Sequence, residues 1–117
     1  MTETPPVTYH LIARQEWEAL DPAADYAPES LTREGFIHNT DGAWELAATA
    51  NRYFKDRSEP FVVLVIDRAR VTAPIRYDDP GRVYSHIYGP LNRDAIRRVV
   101  PMPRAADGTF LPPEGVE

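Results

Sequence analysis

Six consecutive apolar residues at positions 61–66 constrain the fold more than any other feature of the sequence. The run does not alternate with polar residues, so it is typical of a strand that is covered on both faces. Such a strand needs neighbouring strands at its sides and further elements above and below it. The sequence therefore predicts a core organised around a central strand at this position.

Further strands are predicted from residues that favour extended backbone. Residues 7–13 follow two prolines that cannot join a ladder, and residues 83–88 alternate between polar and apolar side chains. Residues 74–78 form a short peripheral strand in this interpretation, because the segment begins with a proline. A short buried strand at residues 35–38 ends at a polar turn, with His38 at the rim of the core.

Helices are predicted at residues 14–20, 28–34 and 43–54. The first buries Trp17 and Leu20 in this interpretation, and the third is capped by Thr40 or Asp41. Because the third helix is apolar over much of its circumference, we expect it to pack on two sides and to bury Asn51. A buried amide needs a partner, which is either a backbone carbonyl or a ligand. Periodicity does not decide between helix and strand for residues 91–100.

The order of these elements predicts an α+β fold with short helices packed on a mainly antiparallel sheet. The 117 residues suit a single domain, with a core at about residues 7–111 and loose tails at 1–6 and 112–117. There is no internal repeat and no linker long enough to divide domains.

Composition excludes several functional classes. The chain has no cysteine, which rules out disulfides, thiolate nucleophiles and cysteine-bound metals. A formal charge of −5 argues against non-specific binding to nucleic acid, which requires a basic face. No apolar run approaches the length of a membrane span, and the first residues lack the features of a signal peptide. We therefore expect a cytoplasmic protein that does not bind membranes.

Three histidines are the main candidates for chemistry, and each lies in a strand-like segment: His10, His38 and His86. Histidine is a poor core residue unless its ring nitrogens are paired, so the three either converge on one site or brace the sheet. A zinc site is an alternative, but separations of 28 and 48 residues do not favour it, and no metal is expected. Motifs for nucleoside triphosphates, dinucleotide-binding Rossmann folds and serine hydrolases are missing. Asp78 and Asp79 are interpreted as turn residues.

The sequence thus predicts a polar cleft lined by the three histidines. Its plausible further members are Ser30, Asn51, Arg76 and Tyr88. Arginine and histidine can neutralise phosphates, and aromatic rings can stack on a base. The lining therefore suits a nucleotide-like small molecule.

Several segments, in this order, resemble the small bacterial domain-of-unknown-function 952 family over roughly residues 7–111. They are Tyr-His-Leu-Ile at 9–12, Tyr-Ala-Pro-Glu-Ser-Leu at 26–31, Glu-Gly-Phe-Ile-His at 34–38, Ala-Asn-Arg-Tyr-Phe at 50–54, Val-Ile-Asp at 65–67, Ile-Arg-Tyr at 75–77 and His-Ile-Tyr-Gly-Pro-Leu at 86–91. That family is distantly similar to the ADP-ribosyltransferase superfamily, whose split-sheet fold holds NAD in a cleft.

The resemblance implies that NAD is a substrate, with His10 on the ribose and His38 and His86 as catalytic residues. The superfamily has three site positions on successive strands, which His10, His38 and His86 take here in that order. It often has a glutamate at the third position, where this chain has His86. Two other interpretations stay open: a catalytically inactive module that binds a nucleotide-like ligand, and a structural domain that binds a protein partner.

Overall fold

The fold consists of two three-stranded antiparallel sheets and three short helices, in a computed structural model that describes residues 5–113. The elements in chain order are β1 (Val7–Ala13), α1 (Arg14–Glu18), α2 (Glu29–Glu34), β2 (Ile37–His38), α3 (Ala43–Tyr53), β3 (Phe61–Asp67), β4 (Ile75–Tyr77), β5 (Ser85–Ile87) and β6 (Ile96–Pro101). Single 3-10 turns follow β3 at Arg68–Arg70 and precede β6 at Arg93–Ala95. The α+β class with antiparallel pairing is confirmed.

The first sheet has the order β1-β3-β6, so the apolar run forms the central strand as predicted. Successive side chains of a strand point to opposite faces. Accordingly Phe61, Val63 and Val65 pack in one core cluster with Leu46, Ala47 and Ala50 of α3. Val62, Leu64 and Ile66 pack in a second cluster. The strand is therefore buried from both sides.

The second sheet has the order β2-β5-β4 and supplies the other half of the second cluster. Ile37 pairs with Ile87 across β2 and β5, and neither side chain is exposed. Tyr9 and Thr40 exchange two backbone hydrogen bonds of 2.8 Å, which join β1 to the segment that follows β2. This link sets the two sheets around a shared cleft.

The helix α3 differs from the prediction. Its buried residues are confined to one face, while Trp44 and Tyr53 are 76% and 66% exposed, so packing on two sides was wrong. The helix begins after Gly42, which has no side chain to cap it; neither Thr40 nor Asp41 is the cap.

Three other points of the sequence analysis concern single segments of the chain. The helix α1 ends at Glu18, so Leu20 lies beyond it and is 39% exposed, whereas Trp17 is half-buried against the second cluster. The undecided segment 91–100 contains a 3-10 turn followed by a strand. The predicted tails at 1–6 and 112–117 lie mostly outside the described residues.

Within residues 5–113, every helix is too short or too polar to cross a bilayer.

Candidate functional site

A cleft of about 720 Å³ opens between β1, the second sheet and the helices α2 and α3. Its walls include all three histidines, Ser30 near the start of α2, and Thr49 and Arg52 on α3. Volumes of several hundred cubic ångströms are usual for small-molecule sites in proteins. The remaining lining residues are Tyr9, Leu11, Glu16, Pro28, Glu29, Arg33, Asn39, Thr40, Leu46, Tyr53, Phe54, Asp78, Asp79 and Tyr84.

His10 lies on β1 at the floor of the cleft, and both of its ring nitrogens are paired. Nδ1 lies 2.6 Å from the carbonyl oxygen of His38, so Nδ1 carries the proton and donates it. Nε2 then accepts from the hydroxyl of Tyr26 at 2.7 Å. Burial lowers the pKa of this imidazole to about 4, with a smaller contribution from the nearby His38 ring. His10 is therefore neutral at pH 7 and fixed in one tautomer.

His38 is held by a carboxylate from the preceding helix. Gly35 ends α2 in the left-handed conformation, with φ of 89°, which glycine adopts readily and which turns the chain into β2. This turn brings the His38 Nε2 to 2.9 Å from Glu34, to which it donates. The hydrogen bond from His38 lowers the pKa of the Glu34 carboxyl, and the positive charges around it act in the same direction.

His86 has an equivalent carboxylate partner from the β4–β5 connection. Its Nδ1 donates to Asp78 Oδ2 at 2.8 Å, and the hydroxyl of Tyr88 donates to the same oxygen. These donors, Tyr88 first and His86 second, lower the pKa of the Asp78 carboxyl. The shared hydrogen bond raises the pKa of the Tyr88 hydroxyl. The carboxylate therefore fixes the orientation of the His86 ring.

The two histidine–carboxylate pairs lie side by side. His38 and His86 are direct partners in the β2–β5 register, and their ring centres are 5.4 Å apart. Phe36 stacks on His86 with ring centres 4.0 Å apart and planes at 13°, and its edge meets His38. Among residues 5–113, neither the Nδ1 of His38 nor the Nε2 of His86 has a hydrogen-bond partner. Each histidine–carboxylate pair, called a dyad below, thus has one ring nitrogen that a ligand could contact.

A second polar cluster, the Asp41 network, lies behind β5 and is closed. Asp41 accepts hydrogen bonds from Ser85 Oγ at 2.5 Å and from the hydroxyl of Tyr77. Arg68 forms an ion pair with Asp41 at 3.4 Å and donates to Ser85 at 2.5 Å. The side chain of Asp41 is 5% exposed and that of Arg68 is 13% exposed. Burial, followed by the bond to Asp41, raises the pKa of Tyr77.

The predicted site residues separate into three groups, of which two lie at or beside the cleft. His10, Ser30, His38 and His86 line the cleft together. Tyr88 and Arg76 lie beside it: the Arg76 guanidinium stands 4.8 Å from the Tyr88 ring, and Tyr88 contacts both Phe36 and Asp78. Arg76 and Tyr88 therefore lie next to His86 and do not line the cleft themselves.

Asn51 is turned away from the cleft. Its amide donates to the carbonyl of Phe110 at 3.0 Å and accepts from the Phe110 N–H at 2.7 Å. The backbone partner foreseen as one of two alternatives is the one that occurs. Asn51 therefore anchors the C-terminal segment to α3.

The carboxylates Glu34 and Asp78 were missed as candidates for the site. Glu34 is four residues from His38, but this spacing did not suggest a contact because the helix ends at Glu34 and a strand begins before His38. Asp78 looked like a turn residue because Asp79, Pro80 and Gly81 follow it. The usable signal was that an acidic residue lies at or just after the end of the element before β2 and before β5, the strands that carry His38 and His86.

Metal binding has no further support from the geometry. Across the described part of the chain, positions 5–113, no group of three or more histidines and carboxylates is arranged to hold a metal ion. The partners of the three histidines are instead a carbonyl, a hydroxyl and two carboxylates.

Comparison with known proteins finds a family model that matches most of the chain. The model of the family described as "Protein of unknown function (DUF952)" matches residues 11–99. No curated protein matches the sequence significantly.

Solved structures of protein CC0527 from Caulobacter crescentus share the fold. Its crystal structure has a TM-score of 0.70 and 22% sequence identity, over 89% of this chain and 92% of that one. A double-mutant crystal structure gives the same values. The solution NMR structure of CC0527 also has a TM-score of 0.70, over 88% of this chain and 90% of that one.

Proposed function

Since the chain belongs to the DUF952 family, whose function is unknown, we propose a function from the site itself: the cleft binds NAD or ADP-ribose and cleaves or transfers ADP-ribose. The observation that supports this most is the pair of carboxylate-bound imidazoles, 5.4 Å apart, on the wall of a cleft of about 720 Å³. The resemblance to the ADP-ribosyltransferase superfamily points to the same ligand.

The dyads suit a reaction that moves a proton without any redox change. In the proposed step the bond between ribose C1′ and the nicotinamide nitrogen breaks, and its electron pair leaves with nicotinamide. A water or an acceptor hydroxyl attacks C1′ and gives its proton to Nε2 of His86. Asp78 holds the ring in the tautomer that has this nitrogen unprotonated.

The other two histidines have separate proposed roles. His38 directs Nδ1 to a ribose hydroxyl, because its Nε2 is already bound to Glu34. His10 shapes the floor and holds the backbone of His38 through the 2.6 Å bond. Both of its nitrogens are engaged, so a direct bond from His10 to the ligand requires the Tyr26 contact to open.

The experiment is nicotinamide release from NAD by purified wild type, His86→Ala and Arg14→Ala. Arg14 is a control because it is exposed and paired with Glu18 on α1. General acid–base catalysis contributes about 100- to 10,000-fold, so we expect His86→Ala to lose at least about 100-fold in turnover while its thermal midpoint is retained. Full NAD cleavage by a folded His86→Ala variant would contradict this role.

A binding module without turnover is the second candidate. It is favoured because the third site position holds His86, whereas the ADP-ribosyltransferase superfamily often has a catalytic glutamate there. In that case ADP-ribose raises the thermal midpoint by mass action, whereas NAD incubated for hours yields no nicotinamide. The two assays together separate an enzyme from a module.

A further inference from the structure

The walls of the cleft carry more carboxylates than guanidinium groups. Four acidic residues line it, against the two arginines Arg33 and Arg52. The acidic set consists of Glu16, Glu29, Asp78 and Asp79. A ligand with phosphate groups meets repulsion from these carboxylates unless an arginine is available to bind it.

Arg33 is already neutralised by its own helix. One guanidinium nitrogen lies 3.0 Å from Glu29, and another lies 3.7 Å from Glu34. Both carboxylates belong to α2, the helix that carries Arg33 itself. To bind a phosphate, Arg33 has to give up at least one of these contacts.

Arg52 has no such competitor within the described residues. It is exposed on α3, and no residue from 5 to 113 forms a hydrogen bond or an ion pair with its guanidinium group. Its guanidinium carbon is 6.0 Å from the centre of the Tyr53 ring, at the outer limit of a cation–π contact. Leu46, Thr49 and Tyr53 line the cleft from the same helix, at the three- and four-residue spacing of one helical face.

We propose that Arg52 is the phosphate-binding residue of the cleft and that it restricts the ligand to nucleotides carrying a diphosphate, an inference that rests on the proposed function. A guanidinium group binds phosphate oxygens with two parallel N–H donors. Arg52, which has no ion-pair partner among residues 5–113, supplies them from α3, and His38 and His86 line the same cleft from β2 and β5. The ring of Tyr53 is 66% exposed and offers a flat surface next to the phosphates.

The test compares the affinity for ADP-ribose of wild type, Arg52→Ala, Arg52→Lys and Arg33→Ala by calorimetric titration. Because charge-assisted hydrogen bonds are strong, we expect Arg52→Ala to weaken binding by about 10- to 100-fold. Arg52→Lys recovers part of the loss, since it keeps the charge but not the paired donors. Arg33→Ala changes the affinity by less than about threefold.

Added sodium chloride gives a second readout. The wild-type affinity falls as salt screens the phosphate contact, and the affinity of Arg52→Ala depends on salt less steeply. An Arg52→Ala variant with affinity within about threefold of wild type overturns the assignment of Arg52 and leaves the proposed function intact. A larger loss in Arg33→Ala than in Arg52→Ala also overturns it. No binding of ADP-ribose or NAD by wild type overturns the proposed function and the role of Arg52 with it.

Discussion

Ser85 and His86 are neighbours on β5, yet they belong to polar clusters of opposite kinds. Ser85 is fully buried in the Asp41 network, where its hydroxyl donates to Asp41 and accepts from Arg68. His86 faces the cleft on the other side of the strand and uses one ring nitrogen on Asp78. One side of the strand has its hydrogen bonds satisfied within the protein, and the other leaves a nitrogen for a ligand.

This difference separates the polar groups that stabilise the fold from those that we propose to contact a ligand. A buried polar network stabilises a fold when its members are paired, and it becomes costly when one partner is lost. A partly exposed dyad contributes little to stability because solvent screens it. We therefore expect substitutions in the Asp41 network to affect stability, and substitutions in the dyads to affect binding and turnover.

The largest effect is expected from Asp41→Ala. The substitution leaves Arg68 buried without its carboxylate and removes the acceptor of the Tyr77 and Ser85 hydroxyls. Breaking a buried ion pair costs about 3–5 kcal/mol, which we expect urea denaturation to record as a lower free energy of unfolding. A loss below about 1 kcal/mol would show that the network is not structural.

A large pH-dependent effect is expected from His10. Its pKa is about 4 in the folded protein and 6.5 in the unfolded chain, so the unfolded state binds more protons between these values. Stability is therefore complete above pH 6.5 and falls as the pH drops toward 4, by up to about 3 kcal/mol. Urea denaturation at pH 7, 6, 5 and 4 measures this loss.

The variant His10→Asn isolates the contribution of that ring. The amide can donate to the His38 carbonyl but does not titrate, so we expect a shallower decline between pH 6.5 and 4 than in wild type. Carboxyls such as Glu34, whose pKa is lowered in the folded state, add to the decline only at the acid end of this range. Equal pH profiles in the two proteins would mean that His10 does not titrate abnormally.

A smaller effect on stability, with a large effect on activity, is expected from Asp78→Asn. The side chain of Asp78 is 45% exposed, so we expect the thermal midpoint to stay close to that of wild type. The amide can hold the His86 ring in the wrong tautomer, so nicotinamide release should fall by about 100-fold or more. A variant that unfolds more easily than Asp41→Ala would reverse the comparison between the two clusters.

The smallest effect is expected from Trp44→Ser. Trp44 is 76% exposed on the outer face of α3 and lies outside the lining of the cleft. Substitutions of exposed residues outside cores, ion pairs and caps usually change stability by less than about 0.5 kcal/mol. We expect neither the free energy of unfolding nor ADP-ribose affinity to change measurably.

The sequence predicted the parts of the fold that depend on local pattern. The run at 61–66 identified the central strand because burial on both faces leaves no place for polar residues. The helix predicted at residues 28–34 does end at Glu34, and the positive φ of Gly35 stops it there. The packing of α3 was overestimated because alanines next to Trp44 and Tyr53 resemble a second buried stripe.

The composition of the site depended on pairings that no local pattern encodes. The three histidines were predicted to be candidates, and the β2–β5 register is what brings His38 and His86 together. The β4–β5 connection brings Asp78 to His86, and that connection had appeared to be only a turn. Asn51 was expected to need a partner, but the partner lies 59 residues away in sequence.

The most direct test is a proton–nitrogen NMR titration of the three histidine side chains with ADP-ribose. We expect the ring nitrogens of His38 and His86 to shift with the ligand, while His10 remains a neutral Nδ1–H tautomer from pH 7 down to about 5. That result would place the ligand on the two dyads and leave His10 as a structural residue. Unchanged His38 and His86 signals at saturating ADP-ribose, or His10 protonated at pH 6, would contradict the account.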